Sequence, residues 1–206
     1  MDMKKAVIIG ILATLTSISV KVEAQTPLPK LPTKPITLKL GVFFPSGGDL
    51  RDSVGSAFFA AGAEYAFSPG HEKSLIPLAY VDYVGKSRNR NTDDGQGNSV
   101  SLDLTATSIG IGGGVRFYAH PMPAYSPYLG GGLGLYFNHF KADANVNTGG
   151  QTNSTGDSAN KTRLGFKINA GVEFQRTYFV EAAYSNSGSV EGTRTDGFSL
   201  LIGGRF

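Results

Sequence analysis

Eight ionisable side chains stand where the surrounding sequence is otherwise apolar or small: Lys39, Glu64, Asp82, Arg116, Lys167, Glu173, Glu181 and Arg205. Four are cationic and four anionic, so together they could form a closed, salt-bridged interior or a gated path for protons or ions. Ionised groups buried in a narrow space must be paired, because removing one partner leaves a bare charge at a cost of about 3–5 kcal/mol. The balance favours the salt-bridged interior. The histidines add no metal chemistry. His71 and His120 fall in short turn sequences and His139 ends an alternating stretch, a spacing that brings no ligand set together. Asn89, Asn91, Asp93 and Asp94 are oxygen donors of the type calcium takes, but the glycine and terminal glutamate of a calcium loop are missing. Gly110, Gly112, Gly113 and Gly114, and the glycines of 130–134, lie inside alternating segments with no helix behind them, so they form no phosphate loop. No cofactor is expected.

The elements that must position the eight charges are strands. Around Lys39, residues Ile36, Leu38, Leu40, Val42 and Phe44 alternate with Thr37, Lys39, Gly41 and Phe43, a period of two that puts one set on each face of a strand. The same alternation runs through 56–67, 74–85, 126–140, 164–174, 178–185 and 197–206. In 102–118 the parity inverts, with Leu102, Leu104 and Ala106 opposed to Ile109, Ile111, Val115 and Phe117; a bulge at Thr107–Ser108 would reconcile the halves. Eight strands result, an even number. Polar loops at 45–55, 86–98, 141–161 and 186–196 alternate with short turns at 68–70, 120–123 and 175–177.

The chain has 206 residues, 28 glycines, no cysteine and no tryptophan. Without cysteine there is no disulfide framework, no Cys-based zinc site and no lipoprotein anchor. A formal charge of +3 is too small and too scattered for nucleic-acid binding. Residues 1–24 read as a signal peptide: Lys4 and Lys5, an apolar run at 6–20 short of the ~20 residues that span a bilayer, then Val22-Glu23-Ala24 as a cleavage site. Residues 25–35, with Pro27, Pro29, Pro32 and Pro35, form an extended linker. The barrel domain is 36–206.

Alternation alone fits a soluble eight-stranded cup as well as a membrane barrel. Volume separates them. An eight-stranded barrel has an interior just wide enough to fill with side chains. The greasy edges carry too many Leu, Ile, Val, Phe and Tyr for that space, whereas the glycine-rich edges fit it. The polar edges are also too poor in charge for a water-facing surface. The greasy face therefore meets lipid, and the eight charges with Phe43, Phe58, Tyr80, Tyr118, Tyr128 and Tyr136 point inwards. Aromatics near strand ends on the greasy face (Phe44, Tyr65, Phe117, Phe137, Phe174, Tyr178) suit an interfacial girdle. The expected architecture is an all-β, eight-stranded, antiparallel up-and-down transmembrane barrel.

The closing strand carries Phe198, Leu200, Ile202 and Phe206 on its greasy face and ends on an aromatic. With the export signal and the eight alternating segments, it resembles the small OmpA/OmpX-type outer-membrane barrel family. That resemblance implies localisation in the outer membrane and a structural or surface-interaction role in the envelope. It implies that Phe198, Leu200, Ile202 and Phe206 serve as the assembly signal, read by the barrel-assembly machinery. Implied partners are outer-membrane lipids and lipopolysaccharide, with an extracellular ligand on the loops. No peptidoglycan-binding domain is expected, and so no wall tether. Two other readings stay open: a narrow, porin-like passive channel, and a lipid A-modifying enzyme. For the enzyme, His139 has lipid-facing parity and Tyr184-Ser185-Asn186-Ser187-Gly188 is similar to a Ser-Asn stretch of lipid A deacylases, but Ala183 stands where that family has its histidine. A non-enzyme is expected.

Overall fold

Alternating segments that are greasy on one edge and small on the other leave a sheet only one way to remove its unpaired edges, which is to close on itself. The computed structural model, which describes residues 34–67, 75–93, 99–118, 124–148, 151–175, 177–190 and 192–206, contains that closure. The signal segment 1–24, the linker up to residue 33, the turn at 68–70, His71 and His120 lie outside the described residues. The barrel strands are β1 (Ile36–Pro45), β2 (Phe58–Ala66), β3 (Leu75–Asp93), β4 (Ser99–Tyr118), β5 (Tyr125–Thr148), β6 (Gln151–Phe174), β7 (Tyr178–Asn186) and β10 (Gly197–Arg205). Between the last two lies a small hairpin of β8 (Ser189–Val190) and β9 (Thr193–Arg194). Each barrel strand pairs antiparallel with its neighbours, and β10 closes on β1 from Thr37–Arg205 to Pro45–Gly197. Beyond that register Ile36 and Phe206 exchange backbone hydrogen bonds of 2.8 and 3.2 Å.

The faces divide by parity. On β1, Leu38 and Leu40 are 50% and 57% exposed, while Thr37 and Lys39 are 2% and 1% exposed. The same holds around the ring, where Leu133, Leu164, Ile168, Val180, Leu200 and Ile202 all stand out from the wall. A continuous exposed apolar surface on this scale far exceeds the few hundred Å² that soluble monomers show. It is a lipid-facing belt, and the barrel crosses a membrane with its strands.

Several expectations about the outer connections are corrected. Residues 86–93 belong to β3, and most of 141–161 belongs to β5 and β6, which reach 24 residues each. A spanning strand needs only roughly 9–11 residues, so β3, β4, β5 and β6 rise past the belt as one four-stranded sheet. Nor is there a bulge at Thr107–Ser108. The register runs without slip from Leu75–Phe117 to Asp93–Ser99, and from Ser99–Asn147 to Tyr118–Tyr128. The parity inversion has another cause: above the membrane the inner face itself turns apolar. Leu104, Ala106 and Phe140 pack there against Leu50 and Val54. The loop at 45–55 supplies that cover as a one-and-a-half-turn helix, α1 (Gly48–Ser53). Its buried Leu50 and the following Val54, four residues apart, face the same way.

Trimming the β5–β6 hairpin tests how far barrel and raised sheet are independent. Joining Ala144 to Thr155 through a two-residue turn removes paired residues symmetrically, since Asn145 faces Ser154. Loop closure changes by only about 0.6 kcal/mol per halving of length. The trimmed chain is expected to keep its heat-modifiable band and its urea midpoint. A large loss of urea resistance would show that the tip supports the barrel.

Candidate functional site

The lumen is laid out in layers from the end of the short turns to the end of the long connections. At the turn end, Ile76, Tyr118, Tyr128 and Phe179 form an apolar cluster. Within it, Arg205 Nε on β10 lies 3.0 Å from Glu173 Oε2 on β6. The Tyr118 hydroxyl donates to the same carboxylate at 2.9 Å and also accepts from Arg205.

The middle layer holds the other six charges. Lys39 Nζ bridges Glu64 at 2.5 Å and Glu181 at 2.8 Å. Arg116 pairs with Glu64 and lies 3.8 Å from Glu181. Lys167 reaches Asp82 at 2.7 Å and Glu64 at 3.6 Å. Glu181, wholly buried, also accepts from the Tyr128 hydroxyl at 2.9 Å and Asn169 Nδ2 at 2.6 Å. The structure thus brings all eight sequence-selected charges into the lumen, six in one network and Arg205–Glu173 apart. Pairs this deep are stabilised by further hydrogen bonds to their charged groups; Tyr118 gives one to Glu173, and Tyr128 and Asn169 give two to Glu181, while Arg116 Nε has no hydrogen-bond partner.

Ring faces complete the packing. Lys167 Nζ sits 4.0 Å from the Tyr80 ring centre, and Arg116 Cζ sits 4.5 Å from that of Tyr128. Tyr80 lies on a floor of glycines. A Cβ built at Gly112, Gly132 or Gly134 would come within 2.6–2.8 Å of its ring or hydroxyl. Glycine inside a strand normally marks such a close approach, and here it makes the room that a tyrosine-filled lumen requires. Further up, Tyr136 and Asn138 border a gap of about 50 Å³ beneath Phe43 and Phe58, room for roughly three or four waters. The cap above it is Phe43, Phe58, Ala60, Ala106 and Leu201 with Leu50 of α1 and the following Val54. Sequence reading missed α1, and the only trace of it is the spacing of Leu50 and Val54 within a polar stretch.

The mouth carries its own order. Row by row, the inner face of the raised sheet reads Lys86, Ala106, Phe140, Ala159; then Arg88, Leu104, Ala142, Asp157; then Arg90, Leu102, Ala144, Thr155. The outer face is polar throughout, with Asn89 bonded to Asp103 at 2.5 Å and Lys141 to Asp143 at 2.6 Å. Between this sheet, α1 and the β8–β9 hairpin opens a cleft of about 250 Å³, with Leu50, Val54, Leu104, Phe140 and Val190 as its apolar lining. The hairpin is pinned by Ser187, whose hydroxyl donates to the Thr195 carbonyl at 3.0 Å, and by Gly188 at φ 85°, a backbone region that glycine adopts freely.

The other candidate groups do not converge. His139 bonds Asn160 on β6 at 2.6 Å, whereas Ser185 lies opposite Lys167 on the same strand. Seven residues of β6, about 23 Å at strand rise, separate those two points. Asn89, Asn91 and Asp93 belong to β3 rather than to a loop, and Asp94 lies outside the described residues. No group of three metal-ligating side chains occurs among the described residues. Phe198, Leu200, Ile202 and Phe206 all lie on the lipid face, 57–65% exposed.

No protein-family model matches the chain, and no curated protein matches it. Solved structures do. The crystal structure of Neisserial surface protein A aligns at TM-score 0.50 and 18% identity over 82% of this chain and 93% of that one. Ail, the attachment invasion locus protein of Yersinia pestis, in complex with the heparin analogue sucrose octasulfate, aligns at TM-score 0.46 and 17% identity over 84% and 97%. The N-terminal β-barrel domain of Pseudomonas aeruginosa OprF aligns at 0.41 and 12% over 84% and 98%. The first of these similarities is one of fold, and it agrees with the ring described above.

Proposed function

We infer that this chain is an integral protein of a bacterial outer membrane, with a structural lumen and a rigid β-platform that makes contacts at the cell surface. One observation carries the reading: a belt of exposed apolar side chains surrounds a lumen filled with paired charges and tyrosines. A closed barrel satisfies every backbone group of the spanning segment without water, which is the condition for crossing lipid with strands. Long connections at one end and short ones at the other give the orientation, with the raised sheet outside and the turns in the periplasm. Outer-membrane lipids and lipopolysaccharide contact the belt. The barrel-assembly machinery reads the closing strand through Phe198, Leu200, Ile202 and Phe206. The eight lumen charges hold the barrel closed.

Because the chain has no cysteine, single cysteines report topology cleanly. In intact cells, Asn147→Cys in the raised sheet is expected to react with a membrane-impermeant maleimide, and Gln175→Cys in a short turn is expected to stay unlabelled until the membrane is opened. The reverse pattern would overturn the orientation. The gap below the apolar cap favours a second reading, a narrow channel. Planar bilayers decide between them: the filled lumen is expected to give no discrete conductance steps, and steady single-channel steps from the unmodified protein would replace the structural reading by the channel.

A further inference from the structure

The rows of the raised sheet place an apolar trough beside a column of cations, and neither has a function in the barrel itself. Among the described residues, the inward-facing charges of this sheet are Lys86, Arg88, Arg90, Lys161 and Arg163 against one carboxylate, Asp157. Lys86 Nζ donates to the Ala57 carbonyl at 2.8 Å and Arg90 to the Asp52 carbonyl at 3.2 Å. The ion pairs among the described residues include none of the β3 cations. Directly across the ladder from Arg88 and Arg90 stand Leu104 and Leu102, and beyond these Ala142 and Ala144. Lower down, α1 covers the trough; higher up, its side chains stay half-exposed, and Val100 and Val146 are 45% and 38% exposed.

We propose that the mouth binds an anionic amphiphile, with its alkyl chain along Leu102, Leu104, Ala142 and Ala144 and its acidic head on Arg88 and Arg90. The proposal rests on the surface-platform reading above and names the class of ligand that the platform takes. Size selects the tail. The cleft of about 250 Å³ shares Leu104 and Ala142 with this row; it is smaller than the ~300–1,000 Å³ of most ligand sites, suited to an alkyl chain and too narrow for a packed helix. Charge selects the head. Two carboxylates, Asp49 and Asp157, line the cleft and neither arginine does, so an acidic head is held outside it, on β3; Asp157 lies three strands from Arg88, about 14 Å at strand spacing. Arginine suits this role because its planar fork binds carboxylate or phosphate through two parallel bonds. A carboxylate head and a phosphate head share this chemistry, and the experiment below separates them.

The test uses the full chain refolded into lipid bilayer discs, with empty discs as the partition blank. Three probes of equal chain length are titrated: dodecanoate, dodecyl phosphate and dodecyltrimethylammonium. Expected is at least tenfold tighter binding of one or both anions than of the cation, and the tighter anion identifies the head. Arg88→Glu with Arg90→Glu is expected to remove that preference, while Asn145→Glu on the outer face keeps it. If the double glutamate variant loses its heat-modifiable band, the pair Arg88→Gln and Arg90→Gln is used instead, with at least a fivefold loss expected. A photoreactive dodecanoate should label inner-face residues of β4 and β5. Equal binding of anion and cation, unchanged binding by the Arg88/Arg90 variants, or labelling confined to the belt around Leu133 would each overturn the proposal. So would a trough occupied only by peptide. Disc binding does not depend on cellular address, so a failed maleimide experiment would overturn the surface reading and leave this result standing.

Discussion

Glu181→Ala is expected to lower the stability of the barrel by about 3–5 kcal/mol, the usual consequence of leaving a buried charge without its partner. The carboxylate lost is the hub of the middle layer. It holds Lys39 at 2.8 Å, the Tyr128 hydroxyl at 2.9 Å and Asn169 at 2.6 Å, with Arg116 at 3.8 Å. After its removal Lys39 has only Glu64 as a close carboxylate, and Glu64 is already shared with Arg116 and Lys167. The chain has no tryptophan, so urea unfolding in lipid is best followed by far-ultraviolet circular dichroism. The companion double variant Lys39→Met with Glu181→Leu removes cation and anion together, and it should recover a large part of the loss, since apolar replacements of buried pairs are often neutral. A single variant with an unchanged midpoint would mean that the network does not hold the lumen. A double variant as weak as the single would mean that packing rather than charge is at stake.

Deleting Phe206 is expected to remove nearly all of the protein from the membrane fraction of cells while barely changing the barrel refolded in vitro. The residue adds a hydrogen-bonded pair with Ile36 at the end of a seam that already extends from Thr37–Arg205 to Pro45–Gly197. Its ring stands 64% exposed on the lipid face. Its contribution to the finished structure is therefore small: two backbone hydrogen bonds worth about 1 kcal/mol each. If the closing strand is the feature read during assembly, the cellular effect must be much larger than the thermodynamic one. Wild-type amounts of heat-modifiable protein in the membrane fraction would refute the signal role. An equal loss in both settings would assign Phe206 to stability instead.

The sequence makes the transmembrane part legible because only two faces exist there and each has a strict composition. Lys39, Glu64 and Glu181 fall on the glycine-rich parity, and the structure places all three in the lumen. Which carboxylate each cation meets is not legible. Lys39 on β1 reaches Glu181 on β7 past the intervening β10, and that depends on tilt and register around the ring. The raised sheet is hidden for a different reason. Its outer rows are Asn, Thr, Ser and Asp, the composition of loops, and ladder pairing with a neighbour already in register overrides that weak preference. The inverted parity of Leu102, Leu104 and Ala106 is a true signal of a change in environment. It reads as a bulge only while α1 is unknown, and six residues of α1 are too few to show a helical period.

The unbroken register of β3 to β6 also has a mechanical consequence. A ligand or neighbouring surface that pulls on the tip near Thr148 and Gln151 pulls along strands that continue into the membrane-embedded ring without hinge or slip. Ladder hydrogen bonds lie perpendicular to such strands, so the load falls in shear on many of them at once rather than peeling them one by one. The sheet and the barrel then behave as a single stiff post. Traction on the outside is carried down to the lipid-facing belt, and the wall resists it as a whole.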